Sequence, residues 1–121
     1  MRTLPVVLVL LLFHASATAM NPEEEKAIDH LLVYIGNSSC EFIRGGKVHD
    51  AGIARAHIQK KYDYFKNKIE TAEDFIKLAA SKSALSGKSY QVRCPGQSKK
   101  IDSATWLQEE LAHYHTRRKT N

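Results

Sequence analysis

From Pro22 onward the apolar residues Ile28, Leu31, Leu32 and Ile35 recur at steps of three and four, with charged residues between them. That spacing predicts an amphipathic helix. Its start is well marked, because Asn21 supplies an N-cap side chain, Pro22 suits the first helical position, and Glu23, Glu24 and Glu25 oppose the positive helix end. Its end falls near Gly36. The period then changes. Cys40 to His49 reads C-E-F-I-R-G-G-K-V-H, and Gly45-Gly46 between two β-prone arms predicts a short antiparallel hairpin with Arg44 opposite Lys47 and Phe42 opposite His49. Like charges directly opposite one another destabilise a strand pair, so these two either splay into water or hold an anion between them.

Helical spacing returns after Asp50, a capping residue, with Ala54, Ile58, Tyr62 and Phe65 on one stripe and Arg55, Lys60, Lys61 and Lys66 largely off it. Thr71-Ala72-Glu73-Asp74 has the form of a capping box and opens a third helix with Phe75, Ile76, Ala79 and Ala80 inward, which must stop by Gly87, its expected cap. Ser89 to Cys94 alternates, with Tyr90, Val92 and Cys94 on one face, as a half-buried strand does. Pro95-Gly96 ends it. Asp102 or Ser103 then caps a last helix carrying Leu107, Leu111 and Tyr114 inward, with Trp106 at its edge. The expected fold is a small α+β domain, mainly helical, with about four helices, a short antiparallel hairpin and one late strand.

Residues 1–19 do not fit this pattern. Arg2 precedes an apolar run from Leu4 to Phe13, and Ala17-Thr18-Ala19 forms an A-x-A cleavage signal, so this segment is expected to be a secretory signal peptide cut after Ala19. Its apolar run is about ten residues, short of the roughly twenty needed to cross a bilayer, and no later stretch is apolar enough to do so. The expected organisation is therefore a signal peptide, a single domain over 20–115 in the periplasm or outside the cell, and a basic flexible tail over 116–121. Cys40 and Cys94 are the only cysteines. In an oxidising compartment they pair, and closing that loop stabilises the fold by about 4 kcal/mol on the chain-entropy model.

Composition narrows the function. A chain of 121 residues, 43% hydrophobic and 26% charged, suits one globular domain and leaves no room for separate cofactor and substrate domains. Three of the basic residues behind the net charge of +5 are Arg117, Arg118 and Lys119 at the end of the chain. A nucleic-acid reader would need its cations clustered on one ordered face, so nucleic acid is not an expected partner.

Catalytic motifs fare poorly. The Gly87-Lys88-Ser89 triplet resembles the end of a P-loop, but Lys82 stands where that motif needs glycine, and the segment runs from helix into strand. No G-x-S-x-G, S-x-x-K or H-E-x-x-H occurs, and Glu73 and Asp74 diverge by about 100° on a helix. His49 and His57 are too far apart for one metal ion, so neither metal nor cofactor is expected. His57 reads as a partly buried histidine, and His113 and His115 as solvated. What remains is a set of donors that the disulfide would gather: Arg44, His57, Ser81, Ser83, Ser86, Lys88 and Tyr90. They suit an anionic small molecule or an envelope protein partner. Two other readings make distinct demands. A small hydrolase needs a serine from the Ser81–Ser86 stretch about 3 Å from His57. An inhibitor or toxin-immunity protein needs an exposed apolar patch, with Trp106 the natural centre.

The runs Phe42-Ile43-Arg44-Gly45-Gly46, His57-Ile58-Gln59-Lys60-Lys61, Thr71-Ala72-Glu73-Asp74-Phe75-Ile76, Ala80-Ser81-Lys82-Ser83 and Ser86-Gly87-Lys88-Ser89-Tyr90-Gln91-Val92 occur in that order. Over residues 42–111 the chain resembles the YfeK-like bacterial periplasmic proteins, a domain-of-unknown-function family. Where such proteins typically carry Asn before the hairpin glycine, this chain has Gly45. The resemblance implies a bacterial envelope protein and supplies no activity.

Overall fold

The computed structural model describes residues 2–12 and 20–121. Residues 2–12 form neither helix nor strand, and their apolar side chains from Leu4 to Leu12 are exposed. The expected cleavage signal at Ala17 to Ala19 lies outside the described residues. From Pro22 the order is α1 (Pro22–Asn37), β1 (Glu41–Arg44), β2 (Lys47–His49), α2 (Ala51–Phe65), a 3-10 turn (Lys66–Lys68), α3 (Ala72–Ala79), β3 (Gln91–Arg93), β4 (Ile101–Asp102) and α4 (Ser103–Lys119). No helix among the described residues is long and apolar enough to cross a membrane.

Local chemistry sets most of the boundaries. Asn21 accepts from the Glu23 amide, Asp50 from the Ile53 amide, and Thr71 and Asp74 form a reciprocal capping box. α1 runs one residue past Gly36, and both the amide and the hydroxyl of Ser38 donate to the Ile35 carbonyl. α3 ends at Ala79, well before Gly87, so that glycine is not its cap. Instead Ser81 Oγ donates to the Ile76 carbonyl at 2.6 Å and satisfies one of the helix-end acceptors. Gly87, at φ +69°, belongs to a loop closed by the Lys82–Ser89 bridge.

The strands form a four-stranded antiparallel sheet in the order β2-β1-β3-β4. Gly45 and Gly46 take φ +57° and +78°, the left-handed values of a tight hairpin turn, and Arg44 faces Lys47 while Phe42 faces His49. β4 is a two-residue strand that the sequence pattern does not announce; it exists because Val92 and Gln91 find Ile101 and Asp102. In β1 and β3, Phe42 pairs with Val92, and both are buried in the core against Ile28, Leu31, Ile58 and Leu107. Cys40 and Cys94 form the disulfide just beyond the Glu41–Arg93 pair, with Cα atoms 4.1 Å apart.

Two expectations about the C-terminal region change. Trp106 is 7% exposed, packed edge-on to Phe42 at 5.6 Å between ring centroids, so it is not the centre of an exposed apolar patch. Residues 116–119, expected to belong to a flexible tail, are the last turn of α4. Arg117 bonds Glu110 there, and Arg118 pairs with Glu23 of α1. Asp102 stands at the N-cap of α4 without a side-chain cap bond, while Ser103 Oγ donates to the Ala80 carbonyl.

Candidate functional site

The β1–β3 register places Phe42 across from Val92 and Ile43 across from Gln91, and continuing it by one residue brings Arg44 to Tyr90. Side chains two residues apart share a face of a strand, so the disulfide, the Phe42–Val92 pair and the Arg44–Tyr90 pair follow one another on one face. α2 closes over the far end of that row. His57 and Lys61 are four residues apart, one helical turn, and both point to it.

The four side chains make a continuous polar cluster. Arg44 Nη1 lies 2.7 Å from His57 Nδ1 and 2.8 Å from Nε2, and His57 Nε2 lies 3.0 Å from the Tyr90 hydroxyl. Lys61 Nζ donates to the Lys82 carbonyl at 2.6 Å and to the Tyr90 hydroxyl at 3.2 Å, and it sits 4.9 Å from the Tyr90 ring centroid. A guanidinium only donates, so a ring nitrogen receiving it is unprotonated. With Nδ1 in that role, Nε2–H donates to Tyr90, which leaves the tyrosine O–H proton for another acceptor.

The electrostatics are one-sided. Burial lowers the His57 pKa below its ordinary value, and Arg44, Lys61, His49 and Lys60 push it the same way. Burial and then Arg44 lower Lys61. For Tyr90 burial raises the phenol, with Arg44 opposing. The cluster opens into a cleft of about 800 Å³ between α2 and the 83–86 loop. All the charged residues lining that cleft, Arg44, Lys47, Lys60 and Lys61, are basic, and His57 stands among them. Among the described residues none of the four cations is ion-paired with a carboxylate.

Of the side chains singled out from the sequence, Arg44, His57, Ser83, Ser86 and Tyr90 line this cleft. Ser81 and Lys88 do not: the Ser81 hydroxyl is committed to the end of α3, and Lys88 is exposed on the loop, its amide donating to Ser86 Oγ. Lys61 was not singled out, although its spacing from His57 was a signal; Lys47 and Lys60 complete the basic lining. Among the described residues no hydrogen bond joins His57 to a serine of the 81–86 stretch. His57 bonds Arg44 and Tyr90, while Ser83 Oγ accepts from the Ser86 amide. No group of three or more metal-binding side chains converges among the described residues. Behind the cluster a smaller cavity of about 40 Å³ is walled by Phe42, Ile43, Ile53, Ala54 and Ile58, with the buried Nε2 of His49 at its edge.

The profile of a family of unknown function, DUF5329, matches residues 22–115, from the first turn of α1 to the last turns of α4. The chain belongs to that family. Consistent with this DUF5329 membership, it is 35% identical over 85 residues to the uncharacterized protein YfeK of Salmonella typhimurium, covering 69% of this chain and 71% of that protein. No solved structure matches it. Within the DUF5329 match lie both cysteines and the whole polar cluster.

Proposed function

We propose that this DUF5329 protein is an exported, non-catalytic binding module that holds an anionic ligand in the cleft between α2 and the 83–86 loop. One observation carries the reading: four cations converge on a cleft with no carboxylate among its lining residues. Gathering like charges costs stability, and an anion removes that cost. Arg44 offers a planar fork suited to oxyanions, Lys61 a point charge, and Tyr90 a hydroxyl. Ser83 and Ser86 add polar groups at the loop side. Export is supported by the run of exposed apolar side chains from Leu4 to Leu12 and by the disulfide, a bond that persists in oxidising compartments.

The test is titration calorimetry with inorganic phosphate and with sulfate. Arg44→Gln and Lys61→Met should each lower affinity about tenfold or more, the loss of one charge-assisted hydrogen bond. Lys88→Ala should leave it unchanged. A wild-type protein that binds neither anion, or a double variant that binds as well as wild type, would refute the reading.

A further inference from the structure

Beyond the cationic end, the cleft changes character. Apart from the 2–12 segment, the two most exposed large hydrophobic residues among those described are Leu85 and Tyr64, at 101% and 82%. Both line this cleft. They come from its two sides, Tyr64 from the last turn of α2 and Leu85 from the tip of the 83–86 loop, with Phe65 and Ala84 next to them. Single exposed apolar residues need no explanation, but here two stand on opposing walls of one cleft whose other end is cationic. At the polar end Tyr90 is buried and Arg44, His57 and Lys61 are half-buried, whereas Tyr64 and Leu85 are exposed.

We propose that the ligand is a single-chain amphiphile with a phosphate head: the head at Arg44, Lys61 and the Tyr90 hydroxyl, the chain along Tyr64 and Leu85. This rests on the anion-binding reading and narrows its substrate class. A phosphate monoester suits the polar end because its dianion presents three oxygens to a guanidinium, an ammonium and a hydroxyl. The cleft volume of about 800 Å³ lies in the upper part of the range for small-molecule sites. An apolar tail explains what a free anion does not, namely two large hydrophobic side chains held in water at the mouth of a charged cleft. Each methylene that leaves water against them adds up to about fourfold in affinity.

The experiment is a calorimetric series of methyl, butyl, octyl and dodecyl phosphate, each below its aggregation threshold, with dodecyl maltoside as the uncharged control. Affinity should climb with chain length by at least a hundredfold from methyl to dodecyl phosphate. Leu85→Ser and Tyr64→Ser, both exposed positions, should flatten that climb while leaving methyl phosphate unchanged. Arg44→Gln should weaken every phosphate, and dodecyl maltoside should not bind. Equal affinity across the series overturns the amphiphile and leaves the anion site standing. Absence of binding by any phosphate overturns both, and dodecyl maltoside binding as tightly as dodecyl phosphate overturns the phosphate-headed amphiphile.

Discussion

His57 is held in its neutral form by its neighbours. Burial lowers its pKa first, then Arg44 from β1, Lys61 and Lys60 from α2, and His49 from β2 add to the effect, while Tyr90 takes up the other ring nitrogen. In the unfolded chain the same ring titrates near 6.5. Above that value it is neutral in both states and contributes nothing to pH dependence. Between 6.5 and the lower folded value the unfolded chain takes up a proton that the folded protein refuses, so stability falls as pH falls through this window. An anion beside the ring reverses the imbalance and raises the folded pKa. By linkage, affinity for sulfate, which does not titrate here, should then increase on acidification through the same window. Imidazole resonances should show a His57 midpoint below 6.5 in the free protein and an upward shift at saturating sulfate; a midpoint indifferent to sulfate would place the anion elsewhere. The sequence made Arg44, His57 and Tyr90 legible as polar residues in semi-regular surroundings. Lys61 escaped because its role depends on Lys82 and Tyr90, residues distant in the chain that only folding brings to its ammonium.

Among the elements, α4 is joined to α1 by a carboxylate rather than by hydrophobic contact alone. Glu110, 8% exposed, accepts from His30 at 2.8 Å and from Arg117 at 2.9 Å, beside a row of rings in which His30 stacks on Tyr114 at 4.6 Å and Tyr34 lies tilted against Trp106 at 4.7 Å. Burial works to raise the Glu110 pKa, and the hydrogen bonds from His30 and Arg117 outweigh it, so the folded value lies below the ordinary one. The stability this contributes is present above the unfolded carboxyl pKa and is lost as pH falls through the folded value. Glu110→Gln should cost about 1–2 kcal/mol at pH 7 and flatten the acid limb below pH 4.5, with sulfate affinity unchanged. Urea denaturation at pH 7 and pH 4 measures it. The starts of α1, α2 and α3 were legible because their caps are written within three residues of the boundary, at Asn21, Asp50 and Thr71. The end of α3 was not, since Ser81 rather than a glycine closes it, and β4 was not, since two residues carry no period and exist as a strand only through β3.

At the scale of the whole molecule, the cross-link between Cys40 and Cys94 joins the first strand to the third, across a sequence separation of 54. Protein recovered from outside the cytoplasm should begin at Met20 and show no free thiol until reduced and unfolded. Reduction should then lower stability by up to about 4 kcal/mol, read as a fall in the urea midpoint. Free thiols in the exported protein, or a chain that keeps Arg2, would contradict this account. The bond also sets the count of residues along both strands. Cys40 to Arg44 and Tyr90 to Cys94 are equal lengths of chain pinned at one end, so neither strand is free to slide past the other. An insertion or deletion in either stretch must therefore appear as a bulge that carries Arg44 or Tyr90 away from His57, whereas the 95–100 turn is free to lengthen or shorten.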